Sequence, residues 1–275
     1  MSDIATENAE GTKALQHYFA SCSVVINSQT PGFEHGTGVA VRHKNNRYIV
    51  TAAHVLEKEP KDENLIIIGK PDSVLKEVKK EEMRAAFFYG THGTLESSIG
   101  SQVRIVDRLT KEGIGDIAAL KVENTEQELP YTVFHDLSGQ GQTDIRAGLS
   151  VVIGGFPGEL ALHAQHRRTG QKQVAVFTYF GMHDVVPFPE SPEKIDRMSP
   201  PHPKIDFLAD FPDNIGSCDP KGMSGGGAWS IPLAKKCDLW SAHKSQLLGI
   251  QSGLYRERKL LRLVRIERVL ELLSR

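Results

Sequence analysis

Cysteine is scarce in this chain: Cys22, Cys218 and Cys237 are the only three in 275 residues. An odd, small number cannot build the disulfide framework of a secreted scaffold, and free thiols in a reducing, cytoplasmic setting are the simplest expectation. Long apolar runs are missing as well. No stretch approaches the roughly 18 consecutive apolar residues that a membrane span requires, so no span is expected. The first ten residues are acidic and polar, without the basic start and apolar run of a secretory signal. Charge of one sign is absent too. A net charge of −1 gives no field that would draw nucleic acid, so none is expected as a partner. No cysteine or carboxylate stands at ligand spacing beside His163 and His166, and neither a metal nor any other cofactor is expected.

What the chain does have is a succession of short apolar runs broken by turn residues, which points to strands rather than long helices. Ser23–Ile26, Thr37–Arg42 and Arg47–Thr51 read as the first three strands, with Asn45-Asn46 as the tight turn between the last two. Leu65–Ile68, Gln102–Val106 and Asp116–Val122 continue the set, and the polar stretch 124–130 reads as a linker. A second set follows at Ser150–Ile153, Gln173–Phe177, Gly227–Trp229 and Leu247–Gln251. Between them, residues 187–203 carry six prolines in seventeen positions and read as an irregular loop. From Arg258 to Ser274, leucine and valine recur at helical spacing among basic residues, which predicts an amphipathic helix docked on the body of the protein. The expected organisation is an N-terminal extension over 1–20, a β-unit over 21–125, a second over 126–257 with an insert around 157–205, and a helix over 258–275.

The chemistry is concentrated in two places. Lys221-Gly-Met-Ser-Gly-Gly-Gly-Ala-Trp229 sets Ser224 among four glycines, where the backbone is free to present a hydroxyl and to converge N–H groups on one point. Tyr48-Ile-Val-Thr-Ala-Ala-His-Val55 delivers His54 at the end of an apolar strand. Gly222-Met-Ser-Gly-Gly226 satisfies the G-x-S-x-G pattern of the α/β-hydrolase elbow, but that fold places its histidine after the serine. Only 51 residues follow Ser224, and the one histidine among them is His243. The order His, Asp, Ser fits better. Asp116 follows the Gly113-Ile-Gly115 turn and opens an apolar strand, 62 residues after His54 and 108 before Ser224. Asp107, Asp136 and Asp144 open no comparable strand.

At this point the chain resembles the trypsin-like serine proteases of the chymotrypsin fold, S1-type peptidases, in an intracellular, bacterial-style form. The family's T-A-A-H, D-I-A-L-L and G-x-S-G-G motifs stand here as Thr51-Ala-Ala-His54, Asp116-Ile-Ala-Ala-Leu120 and Gly222-Met-Ser-Gly-Gly226, and the likeness spans roughly residues 20 to 255. It implies an all-β protein of two six-stranded antiparallel β-barrels followed by the C-terminal α-helix. It implies a serine endopeptidase in which Ser224 is the nucleophile, His54 the general base and acid, and Asp116 the group that orients the imidazole. The N–H groups of Gly222 and Ser224 would bind the oxyanion. Ser252 and Gly253, in Gly249-Ile-Gln-Ser-Gly253, match the strand beside which an extended peptide lies, with the Ser252 hydroxyl also placed to support Asp116. Cys218 and Asp219 fall at the family's specificity position.

Two departures qualify that picture. Secreted members are activated when a newly cut N-terminus pairs with an Asp just before the nucleophile, and here that residue is Met223. No Ile-Val-Gly-Gly cleavage site precedes the first strand, so activation of that type is not expected. The expected partners are a protein or peptide substrate and, through the proline-rich insert, a regulatory protein. The competing class is a protease-like module that binds peptides without cutting them. An esterase using the same three residues is the nearer chemical relative.

Overall fold

Strands dominate because the apolar runs are rich in valine and isoleucine, whose branched Cβ suits a pleated surface buried on both faces. The computed structural model describes residues 11, 14–28, 35–57, 59–69, 94–97, 103–123, 125, 129, 131–140, 143–157, 162–165, 172–177, 179–189, 200–211, 221–231 and 241–275. Cys218, Asp219, Cys237 and most of the proline-rich stretch lie outside them. Helix α1 covers residues 14–22. It is followed by β1 (Ser23–Ser28), β2 (Gly36–His43), β3 (Asn46–Thr51), helix α2 (Ala53–Glu57), β4 (Leu65–Ile68), β5 (Thr94–Ser97), β6 (Arg104–Leu109), β7 (Ala118–Glu123) and β8 (His135–Asp136). The second half contains β9 (Ser150–Gly155), β10 (Leu162–Gln165), β11 (Lys172–Phe177), β12 (Tyr179–Val186), β13 (Asp206–Asp210), β14 (Gly227–Ser230), β15 (Leu247–Tyr255), β16 (Leu260–Arg265) and helix α3 (Ile266–Leu273).

The protein is mostly β, as expected, with two curled antiparallel units and a C-terminal helix. The second unit is a closed six-stranded barrel in the order β12-β13-β16-β15-β14-β9. The first is a curled half-barrel rather than a closed one. Its strands run β4-β1-β2-β3-β7-β6, with β8 added in parallel beside β2. Strand β5 joins neither edge of it, because it pairs with β11 from the second half in a small sheet with β10. The β2–β3 hairpin turns at Lys44-Asn45, one residue earlier than expected. His43 and Asn46 face each other across the pair, and Lys44 takes a positive φ of 54°.

The helix expected over 258–274 is corrected at its first half. Residues 260–265 form β16, the strand between β13 and β15 that closes the barrel, and only Ile266–Leu273 is helical. Leu261 and Leu263 point into the barrel while Val264 points out of it, the period-two sorting of a strand. A six-residue run with four apolar members fits both periods, so sequence pattern alone does not separate them.

The same alternation builds the core between the two units. Ala40 and Ile49 face the interior of the first sheet, while their neighbours Val39, Val41, Tyr48 and Val50 face the second unit. There they meet Val152, Phe180, Trp229, Ile250 and Val264, and helices α1 and α3 seal the ends. Phe19 of α1 is fully buried and stacks on Trp229 with ring centroids 5.0 Å apart. Tyr18 shares a hydrogen bond with His135 Nδ1 at 2.7 Å. Among the described residues no helix is long and apolar enough to cross a membrane.

Phe19→Ala removes the ring that joins α1 to Trp229 and should cost about 3–5 kcal/mol in urea unfolding. A second expectation concerns acid. Burial drives the His135 pKa from the ordinary 6.5 down to about 4, with the Asp136 charge opposing and the His243 charge assisting. The folded chain therefore keeps this ring neutral while the unfolded chain protonates it. Its contribution to stability is complete above about pH 6.5 and drains as the pH falls toward 4, on the order of 3 kcal/mol in all. Unfolding of the native chain and of His135→Leu at pH 7 and pH 4.5 should show the smaller loss in the variant.

Candidate active site

His54 is set by the sharp change from β3 to α2. Val55 N–H bonds to the Ala52 carbonyl at 3.1 Å, and Val55 and Leu56 are buried, so the short helix is anchored while His54 stays half-exposed. Asp116 stands in a tight turn closed by the Ile117 N–H on the Gly115 carbonyl at 2.9 Å. Gly115 has φ +110°, and a Cβ there would press on Ile205 and Val264 of the second unit. The turn thus lodges Asp116 at the boundary between the two units.

The two side chains meet. His54 Nδ1 and Asp116 Oδ2 are 2.7 Å apart, and the His54 backbone N–H donates to Asp116 Oδ1 at 3.0 Å. Both carboxylate oxygens are engaged by one residue, which fixes the plane of the carboxylate relative to the ring. Burial pushes the Asp116 carboxyl up, but the His54 ring hydrogen bond and charge, the His54 N–H and the Arg262 charge outweigh it and hold it below the ordinary 3.8. An ionised Asp116 at Nδ1 calls for the proton on that nitrogen, which leaves the basic lone pair on Nε2.

Arg262 is a contributor that sequence reasoning missed. Its guanidinium is nearly buried and pairs with the fully buried Asp206 at 2.9 Å. Asp206 Oδ2 also accepts the His202 N–H at 2.8 Å. The available signal was an arginine inside the apolar run of β16, since a charged residue there needs a partner. Asp136, by contrast, pairs with Arg42 at 2.8 Å on the surface, away from His54.

Ser224 stands on a four-residue turn. Gly226 N–H bonds to the Met223 carbonyl at 2.8 Å, and Gly225, the third residue, has φ +93°. That is the signature of a type II turn, which requires glycine at this place. A Cβ on Gly225 would overlap the Thr37 carbonyl and the Thr51 hydroxyl. The loop is therefore pressed against β2 and the end of β3, three residues before His54. Thr37 N–H donates to the Ser224 carbonyl at 2.9 Å, and Thr37 Oγ1 donates to the Gly222 carbonyl at 2.8 Å. On the other side, Gly225 N–H bonds to the Gln251 carbonyl at 2.7 Å, and Gln251 N–H bonds to the Gly226 carbonyl at 2.8 Å. Met223 is buried and lies against Gly155.

Ser252 is the residue at which the β15–β16 register shifts, and Gly253 pairs with Arg262 just beyond the loop's last bond to β15. The expected support of Asp116 by Ser252 is corrected. Its hydroxyl turns to the Arg262 carbonyl at 3.4 Å, and the bulge accounts for that direction. Cys218 and Asp219 precede the loop outside the described residues. No protein-family model matches this chain, and no curated protein matches it.

Arg262→Met would leave the Asp206 carboxylate buried without its counter-charge. Chemical denaturation should show a loss of about 3–5 kcal/mol.

Proposed function

We propose that this chain is a serine endopeptidase of the trypsin-like type, working inside the cell on protein or peptide substrates. The observation that carries the reading is the double engagement of Asp116 by the ring and the backbone N–H of His54, with the Ser224 turn pressed through Gly225 against Thr51, three residues before His54.

In this reading Ser224 Oγ attacks the scissile carbonyl and gives its proton to His54 Nε2. The carbonyl oxygen becomes an oxyanion held by the N–H groups of Gly222 and Ser224, each donor worth roughly 3–4 kcal/mol in such sites. The C–N bond then breaks, the amine leaves with the proton from His54, and the acyl group stays on Ser224. A water repeats the sequence, giving its proton to His54 as it attacks, and releases the carboxylic acid. Asp116 holds the tautomer and stabilises the imidazolium without taking its proton. Ser252 and Gly253, beyond the loop's contact with β15, are where an extended peptide would add main-chain hydrogen bonds.

An active-site-directed fluorophosphonate tests the reading. The native chain should be labelled on Ser224, as mass spectrometry of the tryptic peptide would locate. Ser224→Ala and His54→Ala should take up none, and Asp116→Asn should react about 10⁴-fold more slowly. A native chain that stays unlabelled would sink the protease reading and favour a peptide-binding module with a protease-like fold.

A further inference from the structure

Among the described residues, the nucleophile turn is held by backbone groups and one hydroxyl, and Thr37 supplies two of these bonds. Thr37 is fully buried on β2. Its N–H takes the Ser224 carbonyl, and its hydroxyl donates to the Gly222 carbonyl. The same hydroxyl accepts the Phe156 N–H at 2.9 Å, just after β9 of the barrel. Its own carbonyl accepts the Thr51 hydroxyl at 2.6 Å, on the strand that runs into His54. Every polar group of Thr37 is used, and together they tie the His54 strand, the Ser224 turn and the start of the barrel at one point.

We propose that Thr37 is the positioning residue of this site: its hydroxyl and N–H hold the Gly222–Gly226 turn in the form that presents Ser224. The inference rests on the protease reading for its chemical meaning. The geometry behind it is independent of that reading. The orientation of a peptide plane is set by whatever holds its carbonyl. In this turn the Gly222 carbonyl is held by Thr37 Oγ1, the Met223 carbonyl by Gly226 N–H and the Ser224 carbonyl by Thr37 N–H. The plane that carries the Ser224 N–H is thus fixed within the turn, and the planes on either side of it are fixed by Thr37. Met223, buried where a charged residue would need a counter-ion, adds an apolar anchor. Among the described residues, the hydrogen bonds that order the turn are thus made by neutral groups.

Thr37→Val and Thr37→Ser separate positioning from simple packing. Valine keeps the volume but orphans the Gly222 carbonyl and the Phe156 N–H; serine keeps the hydroxyl. Two readouts are taken, both below the melting temperature of each variant. In Thr37→Val the fluorophosphonate labelling rate at saturation should fall roughly 100-fold, with the half-saturating concentration little changed, and Thr37→Ser should restore it to near the native rate. Hydrogen exchange of the 221–228 amides should quicken at least about tenfold in Thr37→Val and stay native-like in Thr37→Ser. Should the valine variant not fold, Thr37→Ala carries the same comparison. Native exchange at 221–228 in the hydroxyl-free variant overturns the proposal, as does a labelling loss no greater than its unfolded fraction. If the native chain takes no label, the protease reading falls by itself, and the exchange data still decide whether Thr37 orders the turn.

Discussion

The two β-units can only work together if the strands between them are buried on both faces. That constraint explains most of the architecture. In β2 and β3, alternate residues serve different cores, with Ala40 and Ile49 turned into the first sheet and Val39, Val41, Tyr48 and Val50 turned to the second unit. A strand so placed has no face left for polar side chains, so any polar residue in it must find its partners within the protein. Thr37 and Thr51 are such residues, and they find theirs in each other and in the Ser224 turn. The polar chemistry of the cleft is thus a consequence of burial at the junction, built from the hydrogen bonds that a doubly buried strand must satisfy.

Electrostatics at the site follows from the same junction. Asp116 lies partly buried between a histidine on the first unit and an arginine on the second. Burial alone would favour its neutral form, and the surrounding donors and charges reverse that balance. Arg262 could not stand at this depth by itself. It is held by Asp206, whose carboxylate is in turn fixed by the His202 N–H. A buried pair of this kind adds little net stability relative to apolar residues, yet removing either partner is costly. Its service here is to place a fixed positive charge behind a carboxylate that also faces His54.

Much of this was legible in the residues. The meeting of His54 with Asp116 was readable because each stands at the junction of an apolar strand and a turn, and their motifs occur in the right order. The glycine cluster around Ser224 announced a turn with positive φ, and Gly225 supplies it. Strands β12, β13 and β16 were not legible. Strand β12 carries Gly181, His183 and Asp184 within Tyr179–Val186, β13 is a short run framed by two aspartates, and β16 matches a helical repeat as well as a strand. Thr37 and Arg262 were hidden for a different reason. A threonine in a strand and an arginine in a basic stretch are ordinary, and what distinguishes them is a partner 185 residues away in one case and 56 in the other. Such long-range pairing is decided by the closure of the fold; the apolar run around Arg262 says that it needs a partner but not which one.

The buried, uncharged Met223 just before Ser224 then acquires a physical sense. A turn held by an ion pair is ordered only while both charges are present, so its order can be withheld until a second charge is made. A turn held by a buried thioether, a threonine hydroxyl and backbone N–H groups depends on no such partner. Its order comes with the packing of β2 against the barrel and with the helix α1, whose Phe19 and Tyr18 complete the same core around Trp229. Assembly of the junction and assembly of the Ser224 turn are on this account one event.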